Sequence, residues 1–465
     1  MKKTDPYTQR SASGIWMTCF ILLAFLTGGC TSTSQKSASL ACELERSLFE
    51  DIIDPWYPRC LDTIHGGYLP NIEYDWSISN GPQTKALVHQ SRHLWTTAFL
   101  YEHYPNHPEF LDYANHGFRF IEQNYQDTAY GGLFHMRNRD GSVDSTTIQH
   151  KRVYGQAFAI NGLAQYYKVT GSKQALDLAK KTFHWMEKYP RDHKHGGYFE
   201  TIGRDGFPIT YNLPGRTEED PGDLPLAGLK EFNSSLHILE AFTELYRVWP
   251  DSLLRLRLEE MYMLFRDVMI QPEGHLGLYF YPDWTLVPKE QMMERAGGNP
   301  WFTQHVTFGH DVEAAFLLLE AGEALGIEND HKARLLAKQL VDHALENGWD
   351  KENGGFYYIG YKEPDGTTSI FDNHKAFWVT SEGLNALMLM YTQYPEDEQN
   401  YLEKFGQLWE YTTDFMIDHE YGGWYNYGLD TNPGNRTARK SHNWKATYHD
   451  VRGMVRSVEM LRRDN

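Results

Sequence analysis

One short motif recurs along this chain: an aspartate, three residues, two glycines, then an aromatic residue or leucine. It reads "DTIHGGY" at Asp62, "DTAYGGL" at Asp127, "DHKHGGY" at Asp192, "DKENGGF" at Asp350 and "DHEYGGW" at Asp418, with a degenerate copy, "PEGHLGL", at Pro272. The spacings are 65, 65, 80, 78 and 68 residues. A repeat of this kind is one supersecondary unit that buries its apolar face only by stacking on its neighbours.

Between copies the pattern is that of helix pairs. In "VYGQAFAINGLAQYYKVTG", Ala157, Ile160, Leu163 and Tyr167 fall at helical spacing, and Thr170-Gly171 closes the helix. A second helix, "KQALDLAKKTFHWMEKY", follows. The same reading predicts helices near 40–54, 84–103, 108–124, 153–169, 172–188, 233–248, 251–270, 308–326, 330–346, 375–393, 397–417 and 447–463, twelve in all. The Gly-Gly motifs supply tight turns after the second helix of each pair, and the residue that follows opens a short extended ribbon. The first and last helices have no sequential partner, and a closed ring lets them pair with each other. An open superhelix would need polar capping repeats, and none is evident. The expected fold is therefore all-α, an (α/α)6 barrel of six hairpins, in a single domain spanning 40–465.

The N-terminus reads as a targeting segment. Lys2, Lys3 and Arg10 precede the apolar run "GIWMTCFILLAFLTGG" (14–29), and small residues lead to Cys30. The expectation is a lipoprotein signal peptide over 1–29, lipid on Cys30, and a flexible tether over 30–39. This places the protein in a bacterial cell envelope, facing the periplasm, with the membrane touched only through the lipid. An uncleaved membrane anchor is the alternative. Cys42 and Cys60 remain, as a disulfide pair or as two thiols. The net charge of −18 excludes nucleic acid as a partner, because phosphates demand a basic surface. A monomer or weak dimer is expected.

If the ring closes, the starts of the first helices of each pair meet at one end. Each start carries polar groups on an otherwise apolar helix: Arg92; Tyr154 with Gln156; Asn233, His237 and Glu240; His310 and Glu313; Trp378 and Glu382; His449 and Arg452. Polar groups in such a setting cost free energy unless partnered or solvated. Together they are expected to line one shared site. His310 and Glu313 share a helix face, so Glu313 is expected to orient His310. Gln156 has an equally good structural reading.

At "KRVYGQAFAINGLAQYY", "NSSLHILEAFTELY", "TFGHDVEAAFLLLEA" and "NWKATYHDVR" the chain resembles the N-acylglucosamine 2-epimerase superfamily, its cellobiose or mannobiose 2-epimerase branch in particular, over residues 40–463. The resemblance implies an (α/α)6 barrel and epimerisation or isomerisation of unmodified sugars without metal or cofactor. It implies His310 and His449 as the acid/base pair, His237 as a third histidine for ring opening or positioning, Arg92 as the substrate arginine and Glu313 as the carboxylate of a catalytic histidine. Tyr154, Asn233, Glu240, Trp378, Glu382 and Arg452 are the remaining expected sugar contacts. The stretch "FWVTSEG" with Phe377, Thr380 and Ser381, Thr447 ahead of Tyr-His, and the shortened "NSSLH" depart from the family's usual pattern and bear on substrate identity.

Inverting C2 of an aldose requires ring opening, removal of the C2 proton, and reprotonation on the opposite face. Two histidines suit this, with unperturbed pKa values near 6.5 and an arginine for the enediolate oxygen. Returning the proton to C1 instead makes the enzyme an aldose–ketose isomerase. A glycoside hydrolase would use two of Glu240, Glu313 and Glu382. His237/Glu240 and His310/Glu313 also place metal-ligand types on one face, and a non-catalytic sugar-binding lipoprotein is the remaining class.

Overall fold

The computed structural model describes residues 33–143, 150–209 and 226–463. The expected leader and Cys30 lie outside the described residues. Among the described residues, no helix is long and apolar enough to cross a membrane.

Helix α1 (Thr33–Ser47) is followed by five hairpins: α2 (Leu87–His103) with α3 (Glu109–Asn124), α4 (Val153–Thr170) with α5 (Lys173–Lys188), α6 (Phe232–Val248) with α7 (Ser252–Leu264), α8 (Phe308–Leu325) with α9 (His331–Gly348), and α10 (Phe377–Gln393) with α11 (Tyr401–Tyr411). Helix α12 (Tyr448–Arg463) ends the chain's described part. The even-numbered helices contact one another in sequence, α12 returns to α2, and α1 packs on α12 as its outer partner. The ring is closed and the fold is an (α/α)6 barrel.

Helix α1 starts at Thr33, inside the stretch expected to be a tether. Ser37, Ala41, Leu44 and Leu48 are buried at intervals of three and four residues. That spacing makes one face of a helix, and the small residues that suggested a linker allow α1 to sit close on α12.

The inner helices are buried almost all round, α2 without interruption from Leu87 to Leu100, as an apolar helix in a core must be. The outer helices bury one stripe, on α3 through Phe110, Ala114, Phe118 and Ile121. Neighbouring inner helices approach at glycine. A Cβ on Gly453 of α12 would lie 2.4 Å from the Ser381 carbonyl oxygen of α10, and one on Gly162 of α4 would lie 2.8 Å from that of Ser91 on α2.

The repeated motif holds the inner helix starts at one level. Gly66 and Gly67 adopt φ of +84° and +66°, which favours glycine. Asp62 accepts from the backbone N–H groups of Ile64 and His65, and its other oxygen accepts from Lys85 Nζ at 2.9 Å. Lys85 lies two residues ahead of α2. The same buried pair recurs as Lys151–Asp127 (3.1 Å), Lys230–Asp192 (2.9 Å), Lys375–Asp350 (2.6 Å) and Lys440–Asp418 (2.5 Å). Burial alone would raise the Asp127 pKa, but hydrogen bonds from Arg204 and Lys151 outweigh it and hold the carboxyl at about 2. Short antiparallel ribbons complete the ties: Lys85–Ala86 with Met136–Arg137, Lys151–Arg152 with Thr201–Ile202, and Lys230–Glu231 with Tyr279–Phe280.

The degenerate fourth copy lacks this Asp–Lys pair. There Asp311 accepts from Leu276 N–H at 3.0 Å, as Gln90 does from Tyr68 and Gln156 from Leu133. Gln156 is thus structural. Cys42 is exposed, Cys60 is buried, and both are free thiols, which removes the disulfide reading.

Candidate active site

The inner helices all begin at one mouth of the barrel, where they enclose a cavity of about 490 Å³. Of the expected site residues, Arg92, Tyr154, Asn233, His237, His310, Glu313, Trp378 and His449 line it. Glu240, Glu382 and Arg452, expected as sugar contacts, do not. Arg452 is fully buried one layer deeper and holds Glu240 (2.8 Å), Glu382 (2.5 Å) and Glu313 on a single guanidinium, with Tyr448 against it as well. They form the floor beneath the cavity.

The histidines differ in their partners. His237 Nδ1 meets Glu240 at 2.8 Å on its own helix. His449 Nδ1 meets Glu382 of the neighbouring helix at 2.5 Å. His310 Nδ1 meets the Thr307 hydroxyl at 2.8 Å. The expectation that Glu313 orients His310 is therefore corrected. Glu313 lies one turn deeper, where Arg452 takes it, and its nearest imidazole is His449, at 3.9 Å. The His310 ring instead packs on Phe232 and Trp378, at centroid distances of 4.8 and 4.5 Å.

These partners set distinct chemistry. Burial, with the charges of Arg92 and Arg452, pushes the His449 pKa well below the ordinary histidine value. Burial pushes Glu382 upward, toward its neutral form. Both directions disfavour a resting imidazolium–carboxylate pair, while the Arg452 charge works against burial to keep Glu382 ionised. His310 is likewise pushed down by burial and then by the neighbouring His237. Its Thr307 hydroxyl can donate or accept, so the ring can change protonation state and keep its partner. Burial would also raise Glu240, but the Arg452 charge and the His237 hydrogen bond hold it at about 2.

Arg92 is fixed at the wall by Tyr154 OH (2.8 Å) and the Trp444 carbonyl (2.7 Å), and its guanidinium lies 4.5 Å from the Phe158 ring. Trp378 touches both His310 and His449 rings, at 4.5 and 5.7 Å. Glu313, Glu382 and His449 place ligand atoms within 4.8 Å of one another, a spacing a metal ion could use. Arg452 already supplies the positive charge at that point.

Sequence reasoning missed the outer wall. His442, Trp444, Asn432, Asn435 and Tyr427 reach the cavity from the stretch before α12, with Tyr358 packed beside Tyr427. Trp444, 45% exposed, presents an apolar ring at the rim. These residues sit in irregular chain, where no periodicity singles them out; an exposed tryptophan beside "KATYH" was the available signal.

The sequence profile of the N-acylglucosamine 2-epimerase family (GlcNAc 2-epimerase) matches residues 67–452. The chain belongs to that family. Within it, the chain is 27% identical to cellobiose 2-epimerase of Bacteroides fragilis, over 88% of this chain and 96% of that one. It is 28% identical to D-mannose isomerase of Marinomonas mediterranea, over 85% and 91%. The structure of cellobiose 2-epimerase from Spirochaeta thermophila matches with a TM-score of 0.75 at 28% identity, covering 93% of this chain and 98% of that one. This family member is a carbohydrate epimerase or isomerase.

Proposed function

We propose that the enzyme inverts C2 of an aldose, or of the reducing-end residue of a disaccharide of the cellobiose or mannobiose type, by histidine-mediated proton transfer through an enediolate. The observation that carries this reading is the pairing of two differently tuned imidazoles, His310 and His449, across Trp378 in one cavity.

His449 is the base. Its Nδ1–H donates to the Glu382 carboxylate, which leaves Nε2 free to receive the C2 proton and gives an imidazolium–carboxylate pair. Arg92 stabilises the developing enediolate oxygen. The anion favours a protonated His310, offsetting the effect of burial, and His310 returns a proton to the opposite face of C2. In the reverse direction the two rings exchange roles. His237, held by Glu240, faces the same cavity and is placed to assist ring opening. Delivery of the proton to C1 gives the ketose, so aldose–ketose isomerisation is the second reading, supported by the likeness to D-mannose isomerase.

The floor argues against hydrolysis. A glycosidase needs two carboxylates free to flank the scissile bond, and here Glu240, Glu313 and Glu382 are all engaged by Arg452. The test is His310→Ala and His449→Ala: each abolishes turnover of cellobiose, mannobiose and mannose with helix content unchanged. Normal turnover by either folded variant contradicts the assignment.

A further inference from the structure

The inner helices carry polar residues inward along their whole length, not only at the catalytic mouth. Helix α10 runs Glu382, Asn385, Leu389, Gln393 down one face; α12 runs His449, Arg452, Arg456, Glu459. At the opposite mouth, where these helices end, lies a second cavity of about 490 Å³, equal in volume to the first. It is a different space: none of the catalytic residues lines it.

Its charged groups are paired with one another. Lys168 meets Glu102 at 2.8 Å, His103 meets Glu459 at 2.9 Å, Arg247 meets Glu244, and Arg456 meets Glu320. The walls therefore offer little net charge to an ion. Two buried amides lie among them. Asn385 and Gln165 are each 2% exposed. Gln165 Nε2 donates to Glu102 at 2.7 Å, and Asn385 Nδ2 has no partner. A buried amide donor without a partner costs free energy of the order of 1–3 kcal/mol, and a ligand hydroxyl would relieve it. Beside the amides stand the stacked rings of Trp95 and Phe99, 4.4 Å apart, and Phe316.

Amide groups, paired charges and aromatic walls in a concave space match a ligand with hydroxyls at its edge and C–H groups on its faces. We propose that the opposite mouth of the barrel is a second binding site, for a neutral polyhydroxylated small molecule of sugar or polyol type. One layer of side chains parts the two cavities. Trp95 packs on Tyr448 at 4.9 Å, and Phe316 lies beneath the guanidinium groups of both Arg452 (5.1 Å) and Arg456 (6.0 Å). The proposal does not rest on the catalytic reading, since the second site would fill whether or not the first performs epimerisation.

The test is calorimetric titration of the full chain with cellobiose and, separately, with D-glucitol. Leu319→Trp fills the second cavity from its wall, and Asn385→Leu removes its free amide. Wild type is expected to bind one equivalent more of sugar or polyol per chain than Leu319→Trp. Asn385→Leu is expected to weaken that same event about tenfold, the size of one lost hydrogen bond to a buried group. Catalytic turnover stays at the wild-type level in both. Equal capacity in wild type and a folded Leu319→Trp, or unweakened binding to Asn385→Leu, overturns the proposal, as does absence of binding of both probes to wild type. Should Leu319→Trp fail to fold, the Asn385→Leu comparison decides alone.

Discussion

His449 Nδ1 and Glu382 Oε1 stand 2.5 Å apart, joined across two inner helices at the floor of the catalytic cavity. This pair, rather than His310 with Glu313, places a carboxylate behind an imidazole of the proposed acid/base pair. Glu382→Gln keeps the size and the hydrogen bond but removes the negative charge that stabilises the imidazolium. Turnover should fall ~10²-fold, the low end of general-base contributions. The acid limb of the pH–rate profile should move to lower pH, because the imidazolium loses its anion. Melting temperature should change little, since burial already favours the neutral form of Glu382. A pH–rate profile and a melting curve on one preparation check both.

Arg452 is the common partner of three buried carboxylates. Arg452→Met leaves them facing one another without a cation. Removing one member of a buried ionic group costs about 3–5 kcal/mol, so this variant should be strongly destabilised in chemical denaturation. Glu313→Gln removes one of the three negative charges and should be far milder in stability.

The buried lysines ahead of the inner helices make a separate prediction about the fold. Lys151→Met strands Asp127, leaving Arg204 as its remaining cationic partner. A loss of stability of about 3 kcal/mol is expected, at the low end for a broken buried pair. The depressed Asp127 carboxyl contributes stability fully above its unfolded value near 3.9, and that contribution is lost as pH falls through about 2. Wild type should therefore lose stability between these values, and Lys151→Met should lose less over the same interval. Urea titrations across that range measure it.

The proposed lipid anchor rests on the apolar run ending in "GGC" at Cys30. Cys30→Ser should release the protein from membranes without altering turnover. Mass spectrometry of the wild-type N-terminus checks the same point: an unmodified chain beginning at Met1 contradicts it.

Much of the barrel was legible because its punctuation is local. The Asp-x-x-x-Gly-Gly turns mark every hairpin but the fourth, and helices apolar all round declare themselves inner. His237, His310 and His449 stood out because a polar residue on such a helix needs a reason. What connects the helices was not legible. The register that sets Glu382 beside His449 depends on the close approach of Gly453 to Ser381, a contact between residues 72 positions apart. Spacing along α8 put Glu313 on the face of His310 but could not show that Arg452 competes for it. The lysines at 85, 151, 230 and 375 each precede an inner helix by two residues, yet read as solvated charge until the turns they fasten are in place. The rim from Tyr427 to Trp444 has no period at all.

The most direct measurement is turnover in heavy water. Incubation with cellobiose, mannobiose and mannose, followed by nuclear magnetic resonance of the sugars, reports where solvent hydrogen enters. Deuterium is expected at C2 of the epimerised reducing-end residue, none in the sugars recovered from His449→Ala, and no new reducing ends. Epimerised product carrying only protium at C2, or release of monosaccharide from the disaccharides, would contradict proton abstraction by the His310–His449 pair.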